Sequence, residues 1–321
     1  MAILSINMAT VNFTTDEQQK TIEKLLCSTN SSAGLHGELT FIAVFNSFLS
    51  VTAFLGNALI LIALHKESSL HPPSKLLLRS LATTDLCVGL ISGPLAVIYW
   101  LSEVNEHWKI CRFVAVAAPL AGFILSSVSA LTMTVISVDR LLALLLGLRY
   151  RQVVTLKRTY VIVITTWIVS TVFSAIQVFN FLVTAWYSII AISLGLLTSI
   201  YSYTKIFFTL RHHQNQVQDH VQQPTQTNQL NIARYKKAVS TAIWLQLTMV
   251  TCYLPHGVAT AFVTNSGILS PASYRALNYT ITLVFLNSSL NPILYCWKIE
   301  EVRQAAKDVI RQVFVLFRLR S

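Results

Sequence analysis

The chain has 321 residues, 54% of them hydrophobic and 12% charged, with a net charge of +11. Its mean hydropathy is +0.58. Soluble domains carry about 25% charged residues, so a water-soluble globular fold is excluded. The basic balance needs no nucleic acid to explain it, because anionic lipid at an inner leaflet attracts the same charge.

Residues 1–38 form a polar N-terminal tail with two glycosylation sequons, Asn12-Phe13-Thr14 and Asn30-Ser31-Ser32. The opening residues lack a basic start followed by a long apolar core, so the first span is expected to serve as the insertion signal. Seven apolar stretches follow, near 40–64, 76–101, 112–138, 159–180, 183–209, 238–264 and 274–297. Each meets the ~20 residues a helix needs to cross a bilayer, where no backbone group can be left unsatisfied. Nothing charged occurs between Arg158 and Lys205, so the fourth and fifth spans must turn sharply between Asn180 and Thr184. The seven-helix bundle is expected over 39–298.

Lys and Arg concentrate on one side. With the N-terminus outside, Lys66, Lys75, Arg149, Arg151, Lys157, Arg158, Lys236 and Lys237 all fall in cytoplasmic segments. The outer side then holds only Lys20, Lys24, Lys109, Arg112 and Arg275. The positive-inside rule therefore predicts N-out, C-in. Residues 212–231, rich in Gln, Asn and His, predict a solvated cytoplasmic loop. Residues 299–321 predict an amphipathic helix and tail. Val302, Ala306, Val309, Ile310 and Val313 recur at helical spacing opposite Glu301, Arg303, Lys307, Asp308 and Arg311.

Polar groups inside these spans mark the candidate sites. Asp85 stands in an apolar helix, where an ionised group costs roughly 2.5–3.5 kcal/mol near the bilayer centre. A second polar cluster runs through Asn287, Ser288, Ser289 and Asn291. The two make sense only if their helices touch. Span one carries Gly56-Asn57, span two Leu81-Ala82 followed by Asp85-Leu86, and span three ends Asp139-Arg140-Leu141. Span four has Trp167, span six Cys252-Tyr253-Leu254-Pro255, and span seven ends Asn291-Pro292-Ile293-Leu294-Tyr295.

In this order, one per span, these motifs resemble the rhodopsin-like (class A) G-protein-coupled receptors over residues 40–314. The resemblance implies an all-α seven-transmembrane bundle in the plasma membrane and a heterotrimeric G protein as partner. An outer ligand would favour a helix arrangement in which span six swings out. Asn57, Asp85, Ser129, Asn287, Ser288 and Asn291 match the mid-membrane polar positions that can hold a sodium ion, with Asp85 and Ser129 as its ligands. A protonated, purely structural Asp85 is the alternative. No other cofactor is implied. Asp139, Arg140, Tyr203, Asn291, Pro292 and Tyr295 match the coupling and activation positions; the Arg140 guanidinium is always charged and carries five donors.

Departures from the pattern carry expectations too. Leu141 replaces a Tyr, Tyr253 a Trp, Met249 a Phe and Gly195 a Pro, and Tyr235 stands where an acid often pairs with Arg140. That missing acid predicts raised ligand-independent signalling. No cysteine lies between 112 and 251, so the family's usual bridge to the second outer loop cannot form. Cys27 is the only other outer cysteine, which points to a Cys27–Cys111 disulfide folding the tail over the pocket. Two free thiols are the alternative.

Gly122 aligns with the aspartate of amine receptors and Phe285 with the lysine of opsins, which argues against biogenic amines and retinal. The expected pocket comprises Gly122, Phe123, Ser126, Tyr253, His256 and Phe285, with Phe179, Tyr187, Phe262 and Tyr279 nearby. It is aromatic and nearly uncharged, which suits a lipid-like or small neutral ligand. Glu103 and Glu106 are expected in the first loop. The short second outer loop also resembles the melanocortin, cannabinoid and lysophospholipid receptor group. The alternatives are a peptide-binding receptor, or a transporter or channel with Asp85 in an ion path. No catalytic residue is expected, because the sequence shows no nucleophile–base pair or metal motif.

Overall fold

The computed structural model describes residues 27, 34–66, 70–179, 181–219, 226–266, 270–298 and 300–320. All the ordered elements among them are helices. We label them α1 (His36–Lys66), α2 (Pro72–Val104), α3 (Trp108–Leu146), α4 (Leu156–Phe179), α5 (Phe181–Asp219), α6 (Gln226–Ser266), α7 (Pro271–Lys298) and α8 (Glu300–Arg320). A short turn, Gly147–Arg149, and a one-turn helix, Tyr150–Val153, link α3 to α4. Helices α1 to α6 each contain a segment long and apolar enough to cross a membrane. Helix α7 is long enough but interrupted by the polar run Asn287 to Asn291.

Packing runs α1–α2–α3 on one side and α1–α7–α6–α5 on the other, with α3 at the centre touching α2, α4, α5 and α6. The main core joins Leu81 of α2, Met133 of α3, Met249 and Tyr253 of α6 and Tyr295 of α7. Lipid-facing positions are large and apolar, such as Phe41, Phe48, Ile164 and Leu197. A membrane protein turns such side chains outward because lipid is as apolar as its own interior.

Two close approaches set the geometry. A Cβ on Gly56 would lie 2.9 Å from Pro292 Cγ, so only glycine lets α1 reach the proline turn of α7. In α2 the α-helix breaks into a π-helical segment, Val88–Ser92. The chain of α1 crosses it so tightly that a Cβ on Gly89 would sit 2.5 Å from the Phe54 nitrogen. Extra backbone in a π turn re-aims the side chains on either side of it, and Asp85 stands one turn before this one.

Cys27 and Cys111 form a disulfide, with Cα atoms 5.9 Å apart. It ties the tail to the first turn of α3, where Tyr99 and Trp108 pack against it. The bounds of α4 and α5 leave one residue between them, as the uncharged run from 159 to 204 requires.

Two expectations are corrected, for the tract 212–231 and for Glu103. The tract 212–231 is not one loop: α5 continues to Asp219 and α6 begins at Gln226. Glutamine is a fair helix former, and no Gly or Pro interrupts residues 205–219. Helix α8, expected as an amphipathic helix, buries Val302, Ala306 and Val309 and leaves Ile310 exposed beside them. The buried stripe packs against α1 and α7, and Lys66 Nζ donates to Gln312 Oε1 at 2.5 Å. Glu103 is not a loop residue; it sits on the last turn of α2 and is fully buried. Asn12 and Asn30 lie outside the described residues, and the side chains of Phe179, Tyr203, Tyr235 and Val313 lie outside the described side chains.

Candidate functional site

The mid-bundle seam is built from four helices. Asp85 is completely buried. It accepts from Asn291 Nδ2 at 2.6 Å and Ser288 Oγ at 2.8 Å, with Ser129 Oγ at a longer 3.5 Å. The two short bonds tie α2 to α7, and each such bond contributes about 0.5–1.5 kcal/mol, more where the acceptor is ionised. Pro292 explains why Asn57 belongs here. A proline removes the donor its i−4 carbonyl would otherwise receive. That carbonyl is Ser288 O, and Asn57 Nδ2 donates to it instead at 3.0 Å. The sequence therefore encodes the α1–α7 contact twice, in Gly56 and in Asn57.

The seam carries more oxygen than its internal bonds use. Asn57 Oδ1, Asn291 Oδ1 and both polar side-chain atoms of Asn287 are buried without a hydrogen-bond partner among the described residues. Buried polar atoms need a partner. A carboxylate surrounded by free carbonyl and hydroxyl oxygens is the donor set a hard cation takes. The residues present therefore fit a sodium ion.

A second network closes the other end of α3. Asp139, 4% exposed, is held from three directions. Arg140 Nη2 lies 2.5 Å from its Oδ2, Ser74 Oγ donates to Oδ2 at 3.1 Å, and Tyr150 OH donates to Oδ1 at 2.7 Å. Arg140 also donates to Ser74 Oγ. Burial, with the Asp139 carboxylate beside it, pushes the Tyr150 hydroxyl up to about 12, so it stays a donor. Ser74 and Tyr150 escaped the sequence reading. A serine in the first turn of α2 and a tyrosine in a short linker carry no local signal of a shared partner. Tyr295 is buried in the core, its hydroxyl without a hydrogen-bond partner among the described residues.

The expected pocket residues face one another in part. Tyr253 OH donates to Ser126 O at 3.3 Å, His256 Nδ1 meets Thr280 Oγ1 at 3.2 Å, and Phe285 is buried. Phe123 tilts against Tyr187, which stacks on Phe173 at 3.8 Å. A Cβ on Gly122 would come within 3.3 Å of Ser92 Oγ. Phe262 and Tyr279 do not belong to this set; they are 65% and 44% exposed on the bundle's outside. Helical counting placed them one face away from their true direction.

Near the disulfide, Glu103 Oε2 accepts from Tyr274 OH at 2.6 Å, and Tyr274 OH lies 3.0 Å from Tyr99 OH. Trp100 Nε1 donates to Asn278 Oδ1 at 2.8 Å. Asn278, which opens the triplet Asn278-Tyr279-Thr280, is buried in that contact and closed to glycosylation.

A family model, "7 transmembrane receptor (rhodopsin family)", matches residues 56–186 and 180–295. The chain is 23% identical to the "High-affinity lysophosphatidic acid receptor" of Xenopus laevis, over 85% of this chain and 82% of that one. It is 24% identical to "Adenosine receptor A3" of Canis lupus familiaris, over 86% and 92% respectively. It is 22% identical to the "QRFP-like peptide receptor" of Branchiostoma floridae, over 86% and 78%. By their names these relatives take a lipid, a nucleoside and a peptide.

Proposed function

Because this chain belongs to the seven-transmembrane receptors of the rhodopsin family, multi-pass proteins of the plasma membrane, we propose that it carries an extracellular ligand signal to heterotrimeric G proteins. The N-terminal tail, 1–38, lies outside and bears glycans on Asn12 and Asn30. Residues 299–321 lie inside, and the bundle, 39–298, joins them. The positive-inside distribution of Lys and Arg supports this orientation.

The observation that carries the reading is the cage around Arg140. Its guanidinium faces Asp139 and Ser74 at the basic end of α3, while Tyr150 holds the far oxygen of Asp139. Once α6 moves outward, the same donors can turn to a G protein. A ligand acts by favouring that arrangement over the one described, a population shift between two states. Asp85 and Ser129 hold sodium with the help of Asn57, Asn287, Ser288 and Asn291. When bound, the ion supplies a counter-charge for Asp85 and favours the arrangement seen here. Asn291 and Pro292 connect that seam to Tyr295, and Tyr203 completes the activation set.

The aromatic character of Phe123, Tyr253, His256 and Phe285 supports a lipid-like or small neutral ligand, which meets Gly122 and Ser126 as well. The test is nucleotide exchange on added heterotrimeric G proteins, using membranes that carry the receptor. Receptor-dependent exchange is expected, with Arg140→Ala reducing it at least tenfold at matched surface expression. Sodium flux through receptor liposomes, together with no exchange, would replace the receptor by an ion carrier.

A further inference from the structure

The residue that often restrains Arg140 from span six, an acid, is absent here, and Tyr235 stands at its position. The structure offers another hold on α6. Gln246 is 6% exposed and is the one polar side chain in a stripe of α6 otherwise made of Ile243, Met249 and Tyr253. Those positions recur at helical spacing, so they share the face turned toward α3. Gln246 Oε1 lies 3.2 Å from Ser137 Oγ of α3, whose one hydrogen is shared between it and Met133 O at 3.0 Å. Ser199 Oγ of α5 reaches Ser137 Oγ at 3.5 Å. Gln246 Nε2 turns to Met249 Sδ at 3.8 Å. Beyond this contact, Leu141, Leu144, Ile206 and Ile243 pack α3, α5 and α6 together.

A second contact holds the neighbouring face of the same helix. Trp244 lies 5.3 Å from Trp297 of α7, and Lys298 Nζ stands 3.8 Å from the Trp297 ring and 5.0 Å from that of Trp244. An ammonium over an aromatic face is attracted to it.

We propose that Gln246 is a positioning residue that latches α6 to α3 in the resting arrangement, in place of the missing acid, with the Trp244–Lys298 contact as an independent hold against α7. The inference rests on the receptor reading above. It changes the expectation drawn from the absent acid: ligand-independent signalling is restrained in this chain, and removing the latch raises it. When α6 leaves α3, Gln246 loses its bond to Ser137. A buried glutamine is tolerated there because Ser137 satisfies it, and an apolar residue would pack without the bond.

The test combines two readouts on Gln246→Leu, Ser137→Ala, Trp244→Ala and the double variants. The first is ligand-independent nucleotide exchange. One net hydrogen bond corresponds to roughly a two- to tenfold shift in a two-state equilibrium. Gln246→Leu and Ser137→Ala should each raise basal exchange by about that factor, and the pair together should do no more than the larger of the two. Gln246→Leu with Trp244→Ala should multiply. The second readout needs no G protein. Cys252 lies on α6 and is buried, whereas Cys87 lies on α2. Alkylation of Cys252, followed by mass spectrometry, should speed up in Gln246→Leu while Cys87 keeps its rate.

Unchanged Cys252 labelling in Gln246→Leu would overturn the latch, as would a multiplicative Gln246→Leu/Ser137→Ala pair. Faster Cys252 labelling with no exchange from any variant would uphold the latch and sink the receptor reading instead.

Discussion

The crossing of α1 over the π-helical segment of α2 gives a prediction whose sign is opposite to the intrinsic helix preference. Alanine in a helix interior is favoured over glycine by about 0.5–1 kcal/mol. At Gly89, however, the added Cβ would lie 2.5 Å from Phe54 N and 2.6 Å from Ser50 O, both backbone atoms that no rotamer change can move. Ordinary contact begins at 3.4 Å, so α1 must retreat by about 0.9 Å. Forcing extra volume into a packed interface costs roughly 1–3 kcal/mol. Gly89→Ala should therefore destabilise the fold by about 1–2 kcal/mol.

Gly257→Ala is the matched control. Its Cβ would meet only Ile192 Cδ1 at 3.7 Å, so propensity decides and the change is neutral or stabilising. Gly93 is intermediate: the clash is with Ser50 Oγ, and Ser50→Gly should rescue Gly93→Ala. The assay is heat-induced reaction of the buried Cys252 thiol with a fluorogenic maleimide in detergent. A Gly89→Ala midpoint equal to or above that of wild type would refute the close crossing.

Further expectations concern the ends of the bundle. Tyr150→Phe removes the bond to Asp139 Oδ1 and should lower the melting midpoint by the equivalent of about 1 kcal/mol, with no change if the hydroxyl prefers solvent. Burial holds His71 below its usual 6.5 despite the nearby Asp139, with Arg151 and Arg140 acting in the same direction as burial. The folded state thus resists protonation. Its contribution to stability is present above pH 6.5 and fades as pH falls below that value, so His71→Gln should flatten the acid side of a midpoint-against-pH curve. Cys27→Ser should leave Cys111 open to alkylation without reduction. It should also cost up to about 4–5 kcal/mol, the chain-entropy value for a loop of this length, less whatever order α1 and α2 already impose. Unaltered stability would show that the bond adds nothing to the packed helices.

Much of this architecture could be read from the chain because the bilayer leaves few options. Seven apolar stretches had to become helices, and an isolated Asp85 had to find donors, which the polar run of α7 supplies. The pairing of Cys27 with Cys111 followed from the shortage of cysteines. Other features depend on facts that no local pattern carries. Ser74 and Tyr150 converge on Asp139 from segments separated by 76 residues. The outward turn of Phe262 and Tyr279 depends on small cumulative rotations along α6 and α7. Gln246 did leave a trace, one polar position in a stripe of apolar ones, but its partner on α3 is visible only in three dimensions.

The Cys27–Cys111 bond joins the chain ahead of α1 to the first turn of α3, so α1 and α2 lie within one covalent loop. Inside that loop Gly89 packs α2 onto α1, and Gly56 and Asn57 fasten α7 to the same block, which forms the stator of the molecule. On the receptor reading, shape change is thereby left to α5 and α6, which neither the loop nor those contacts hold.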